Sequence, residues 1–335
     1  MQDTGFPMLD FGSDISSGLS YMQHGRWQFL SFVSGGMAFN GMASTYFMSS
    51  SDSGYSRADL AANMLTLGVY GYLRESQRSQ RARSKSELLR IMKLIENVES
   101  AISFVVGVYS VLIAGFLEGY DQLEGSELGL RVFSIATSLV TLPMGTSDFA
   151  LWMMSAEGQN QNQNQHFVDA TLANNKMGLR FYHLTEVLNL MNLMVFQFLY
   201  RPWGLAPILA FYVLGSAVIF RDSMSFISFL VVPVLFFFNA ISPGATFPAK
   251  NIRNMVRVRL FLSIATSVAN IVGIYRSPAQ LAQMLSLKVL PITILGLSGS
   301  VLHVGSTIQQ WRAGRWRSSG EMGDNTYEAL GGASW

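Results

Sequence analysis

Long apolar runs, each set off by charged punctuation, constrain this chain more than any other feature. Trp27–Met48, Val98–Phe116, Leu128–Met154, Leu205–Phe220, Phe226–Phe247 and Leu285–Gly305 approach or reach about 20 mostly apolar residues, the length that crosses a hydrocarbon layer as a helix. Leu60–Leu73, Thr185–Tyr200 and Leu260–Ile274 are shorter. Alternation is absent and the runs are rich in Leu and Met, so strands have no support. Only 13% of the 335 residues are charged, about half the share of an average soluble domain, and mean hydropathy is +0.28. The expected fold class is all-α: a polytopic helical membrane protein with amphipathic interfacial helices.

The organisation follows from the same pattern. Residues 1–26 form a polar segment, 27–200 a helical membrane-associated region, 201–311 a set of C-terminal transmembrane helices, and 312–335 a cytosolic polar tail. Met1–Ser20 carries Asp3, Asp10 and Asp14 and no Lys or Arg, unlike a secretory signal. The Gln159–Gln165 tract reads as a disordered loop.

Charge placement gives a topology. Arg74–Lys93 contains seven basic residues against Glu75 and Glu87, Glu118–Glu127 is purely acidic, and Lys250–Arg259 and Arg312–Arg317 are basic. The basic loops are expected to share the cytosolic side. If every later segment spans, they do not. Dropping either 128–154 or 185–200 as a span restores agreement. These two segments also hold Arg131, Asp148, Glu186, Asn189 and Asn192. At least one is therefore expected to lie along the membrane surface.

Catalytic chemistry finds no foothold. The chain has no Cys, which excludes thiolate metal sites and a Cys nucleophile. His24, His166, His183 and His303 are scattered; only His183 and Glu186 share a helical turn, and no third ligand is evident. Gly296-Leu297-Ser298-Gly299-Ser300 lacks the final glycine and preceding strand of a nucleophile elbow. Gly296, Gly299 and Ser300 instead suit a close helix–helix contact. Lys288 sits near the start of its segment and is expected to snorkel, while Trp311 and Trp316 beside Arg312, Arg315 and Arg317 read as an interfacial belt. The net charge of +2 does not point to nucleic acid. No enzyme activity, cofactor or metal is expected.

Residues 87–102 carry the most specific pattern. Leu88, Ile91, Met92, Ile95, Val98 and Ile102 fall at the spacing of one helical face, with Arg90, Lys93, Asn97 and Ser100 opposite. With Arg83 and Lys85 just before it, this is the composition of a helix that inserts its apolar stripe between headgroups. Arg83, Lys85, Arg90 and Lys93 would contact an anionic leaflet, each for about 1 kcal/mol. The same pattern also describes a core helix whose stripe packs on neighbouring helices.

The segment Leu89-Arg90-Ile91-Met92-Lys93-Leu94-Ile95-Glu96 resembles the amphipathic helix of the PEX11 family of peroxisomal membrane-remodelling (peroxisome proliferation) proteins. Other stretches follow in the family's order: Gly25-Arg26 with Phe29-Leu30 and Phe32; Leu130-Arg131-Val132 through Asp148-Phe149-Ala150-Leu151-Trp152; Leu179-Arg180-Phe181-Tyr182 through Asn192; and Gly296-Leu297-Ser298-Gly299-Ser300 through Gln310-Trp311-Arg312. The departures are that the basic residue expected before Leu88 is displaced to Lys85, that the small residue expected ahead of Lys93 is Met92, and that the 205–247 insert is unusually apolar. The resemblance implies a non-enzymatic membrane-shaping protein of the peroxisomal membrane, acting by helix insertion and self-association as a homo-oligomer, with organelle fission factors as partners. The alternative class is a transporter, channel or accessory membrane subunit of a larger complex, for instance in a mitochondrial membrane.

Overall fold

The computed structural model describes residues 2–51, 54–82, 86–117, 125–160, 165–200, 204, 206–208, 210, 214–215, 249–276 and 290–312. Among these the chain is all-helical: α1 (Gln2–Gln23), α2 (Trp27–Ser50), α3 (Arg57–Leu65), α4 (Val69–Ala82), α5 (Glu87–Leu117), α6 (Gly125–Asn160), α7 (Gln165–Leu199), α8 (Ala249–Arg276) and α9 (Leu290–Arg312). Three stretches are long and apolar enough to cross a membrane, Gly125–Asp148, Val256–Arg276 and Leu290–Gln309, and less than half of each is buried inside the protein. Their outward residues are large and apolar, including Phe133 on α6, Phe261, Ile264 and Val268 on α8, and Val301 on α9. Apolar side chains facing out and polar ones facing in is the arrangement that lipid favours as solvent. The protein is an all-α, polytopic integral membrane protein.

Side-chain register gives each helix a direction. Tyr21 of α1 meets Ser110 of α5. Val33 and Met48 of α2 pack in the same clusters as Val106 and Met92 of α5, so α2 runs opposite to α5. Asn97 packs at Gly145 and Ile135 at Gly107, so α6 returns antiparallel. Asp148 of α6 lies 3.5 Å from Arg180 of α7. Along α7, Glu186 pairs with Arg259, Asn189 accepts from Ser263, and Asn192 donates to Thr266; α7 and α8 therefore run parallel. Against them α9 runs antiparallel, with Ser306 at Thr185 and Ser300 at Asn189.

Of the two segments, at least one of which was expected to lie along the membrane surface, 128–154 overlaps the membrane-length stretch Gly125–Asp148, whereas α7, which contains 185–200, is not among the three such stretches. Both run lengthwise through the bundle, α7 packing parallel to α8. Their polar residues are accommodated by turning inward onto other helices or onto their own. Arg131 pairs with Glu127 one turn earlier, and Asn189 and Asn192 bond to α8 and α9. Leu199 and Ala249 lie at opposite ends of the bundle, so the start of α5, the start of α8 and the end of α9, all basic, lie at one end.

One end thus collects α3, α4, the start of α5, the start of α8 and the end of α9. The other holds the α1–α2 turn, Glu127, Tyr200 and Arg276. Single cysteines in place of Arg81 and Arg257, both exposed, are expected to react with an impermeant maleimide from the same side of sealed vesicles. A cysteine at Arg276 should react only from the other side. Labelling of Arg81→Cys and Arg257→Cys from opposite sides would refute this arrangement.

The interior has one large apolar cluster, in which Phe104, Val108 and Leu112 of α5 meet Ile135 and Leu142 of α6 and Leu190, Met194 and Phe198 of α7. At the basic end, α3 begins at a reciprocal cap: Ser56 accepts from the Asp59 N–H while the Asp59 carboxylate accepts from the Ser56 N–H. The turn into α4 uses Gly68 at φ +97, where a side chain would meet Asn40 and Ser44. This lets the turn tuck against α2.

Candidate functional site

The structure places the expected membrane-inserting stripe inside the protein. Leu88, Met92, Ile95 and Val98 are 6%, 2%, 6% and 7% exposed, and Ile91 and Ile102 are half-buried. Leu88, Leu89 and Met92 pack with Met48 of α2 and Tyr72 of α4. Ile102 lies against Gly36 and joins the cluster of Tyr21, Val33, Met37 and Val106. This corrects the assignment of these residues as a lipid-inserting face. A stripe at helical spacing reads the same whether lipid or a neighbouring helix covers it, and here α2 and α4 cover it. The opposite face is no freer: Asn97 and Ser100 are buried and Arg90 and Lys93 half-buried, because α5 has neighbours on both sides. Arg83 and Lys85 lie outside the described residues, as do Lys288, Arg315, Trp316 and Arg317, nearly all of 205–247 and the centre of the Gln/Asn tract.

Gly296, Gly299 and Ser300 sit at the α7–α9 contact. A Cβ at Gly296 would lie 2.9 Å from the Asn192 nitrogen, and one at Gly299 2.9 Å from the Leu188 carbonyl carbon. Ser300 donates to Asn189 at 2.6 Å. The two glycines let the helix backbones approach closely enough for that bond to form.

Polar side chains gather in three places. In the first, between α7, α8 and α9, the Glu186 carboxylate bonds His183 at 2.7 Å and the Arg259 guanidinium, all three almost fully buried. The His303 ring packs 5.6 Å from the Tyr182 ring. Deeper in the bundle the chain continues as a polar ladder, in which Asn270 donates to Asn192 at 2.9 Å and Tyr200 donates to the Ala269 carbonyl at 2.6 Å. In the second, at the opposite end, Arg131 is 1% exposed and pairs with Glu127. It lies 5.1 Å over the Tyr21 ring, and His24 approaches Glu127 at 3.5 Å.

The third centre lies at the basic end, outside the spanning segments. Glu75 is 2% exposed. It accepts from the Tyr55 hydroxyl, from Arg78 at 3.1 Å and from Ser86 at 2.6 Å. Burial pushes the Tyr55 phenol up to about 12, reinforced by its bond to Glu75, so the phenol stays a donor. Beside it, the Tyr70 hydroxyl and then Ser56 hold the Asp59 carboxyl well below the usual carboxylate range. Arg74 bridges Asp59 and the Tyr55 ring, the latter at 5.1 Å.

A cleft at the α1, α2, α4 and α5 junction is lined by Phe11, Tyr72, Asp14, Asn40 and Glu99, among others. Among the described residues no group of three or more His, Asp or Glu side chains is arranged to hold a metal ion. His183 and Glu186 do meet, but Arg259 completes the group, and a guanidinium is not a ligand.

Sequence reasoning singled out Arg131, Asn189 and Asn192 as obstacles to spanning and Glu186 both as an obstacle and as an incomplete ligand pair with His183, not as helix fasteners. It missed Glu75, Arg259, Ser263 and Asn270 as their counterparts or as hubs. The available signal was the three-residue spacing of 186, 189 and 192, which matches the three- and four-residue spacing of 259, 263, 266 and 270. No family model, curated protein or solved structure matches the chain. The structure and its chemistry define the class, an integral-membrane helical bundle.

Proposed function

We propose that the protein is a non-enzymatic structural subunit of a membrane assembly. The observation that carries this reading is the use made of charge inside the bundle. An ionisable side chain within a bilayer is by default a candidate transport group. Here Glu186 is closed off by His183 and Arg259, and Asn189 and Asn192 fasten α7 to α8 and α9. These groups act as interhelical fasteners, while the outer surface offers apolar residues to lipid or to a neighbouring membrane subunit. In mild detergent, tagged protein is expected to elute well above its own 37.0 kDa, with fixed-ratio partners after allowance for the micelle. A lone monomer that carries ion or solute flux in liposomes would overturn this reading.

The second reading is the membrane-remodelling role in the peroxisomal membrane, with self-association and fission-factor partners. It is favoured by the gathering of Arg74, Arg78, Arg81, Arg90, Lys93 and Arg257 at one end of the bundle, where an anionic leaflet would attract them. In that reading the α5 stripe acts only after α2 and α4 release it. Tubulation of anionic vesicles by the full-length protein, weakened by salt, is its expected sign. Unchanged vesicle shape at any protein density would reject it.

A further inference from the structure

Ser86 occupies the point where α4 is tied to α5. Its hydroxyl donates to the Glu75 carboxylate at 2.6 Å and accepts from the Leu89 N–H at 3.1 Å, capping α5. Its own N–H donates to Ser79 at 3.1 Å. Glu75 in turn gathers Tyr55 and Arg78, so one hydroxyl joins the α3–α4 hairpin to the first turn of α5. Leu88, Leu89 and Met92, covered by Met48 and Tyr72, follow immediately.

The residues before Ser86 are Arg81-Ala82-Arg83-Ser84-Lys85. Cations at positions −5, −3 and −1 are what an Arg-directed protein kinase, with carboxylates lining its peptide groove, recognises through charge-assisted bonds. Ser86 itself is half-buried, not sealed in the core.

We propose that Ser86 is a phosphoacceptor for an Arg-directed, ATP-dependent protein kinase, and that its phosphorylation unlocks α4 from α5. The Ser86 hydroxyl oxygen forms a bond to the γ-phosphorus of ATP, the β–γ bridging bond breaks to release ADP, and the hydroxyl proton leaves to the kinase's base. The product carries a charge of about −1.5 to −2 and has lost the hydrogen that bonded Glu75. A dianion then stands against a buried carboxylate. The phosphate has better partners in the N–H groups at the α5 N-terminus and in Arg78. Glu75 loses Ser86 and competes for Arg78, and the α3–α4 hairpin swings off the apolar stripe. The inference holds for either functional reading, since it concerns only the lock.

The test uses the full-length protein in lipid nanodiscs with an Arg-directed kinase and ATP, with the modified residue located by mass spectrometry. Phosphate is expected on Ser86 and absent there in Ser86→Ala. Amide exchange across 69–82 is expected to accelerate at least about ten-fold in the phosphorylated wild type, reporting local opening of α4. In Glu75→Gln, where the carboxylate charge is gone, phosphorylation should produce a much smaller acceleration relative to the same variant unphosphorylated. Phosphate on Ser84 alone, none on Ser86, or phospho-Ser86 with unchanged exchange in α4 would overturn the proposal. An equal acceleration in Glu75→Gln would overturn repulsion by Glu75 as its cause.

Discussion

Replacing Arg259 with Met is expected to destabilise the bundle by about 3–5 kcal/mol, the usual consequence of leaving one partner of a buried ion pair without the other. Glu186 lies between α7, α8 and α9 with His183 and Arg259 as its partners. Removing the guanidinium leaves a carboxylate whose desolvation one imidazole does not offset. Met fills much of the same volume, so the loss reads out charge and not a cavity. The double variant Glu186→Gln/Arg259→Met should recover most of the loss, because a neutral amide tolerates burial better. Thermal unfolding in mild detergent measures both. A double variant no more stable than Arg259→Met would show that this pair is not what holds α8 to α7.

Gly299→Val is expected to cost about 1–3 kcal/mol or more through overpacking, and to separate α9 from α7. The atoms that a Cβ would meet are the Leu188 Cβ and the Leu188 backbone, with its carbonyl carbon at 2.9 Å. Backbone inside a packed helix does not rotate away as a side-chain tip does. The Ser300–Asn189 bond, one residue on, should break with it. Gly305→Ala is the control: no atom lies within 4 Å of a Cβ there, so the change should be neutral or stabilise the helix by up to about 1 kcal/mol. Equal thermal stability of Gly299→Val and wild type would mean that the close α7–α9 approach is absent in solution.

Much of the fold is legible in composition and spacing because lipid imposes simple rules. Apolar length separates helices from strands, and the segments at 128–154, 260–274 and 285–305 correspond to the three membrane-length stretches found. The small residues at 296, 299 and 300 mark a helix contact because only a missing side chain permits that approach. The partner of that contact, α7, carried no such mark. Its Glu186, Asn189 and Asn192 lower its apparent apolarity, and they make sense only once α8 presents Arg259, Ser263 and Thr266 to them.

The stripe at 87–102 marks the other boundary. Helical period, apolar face and the absence of strands are local properties, so the sequence alone determined an amphipathic helix there and an all-helical membrane chain around it. Which medium faces the stripe is not a local property. Only tertiary packing decided that α2 and α4 cover Leu88 and Met92, that α7 packs parallel to α8, and that basic ends far apart in the chain gather at one end of the bundle. The physical reason is that burial of an apolar face contributes similar free energy against lipid or against Leu and Met side chains, so hydrophobicity cannot choose between them. The choice rests on directional contacts between residues distant in sequence: the Glu75–Ser86 lock, the Glu186–Arg259 pair and the glycine approach at 296 and 299.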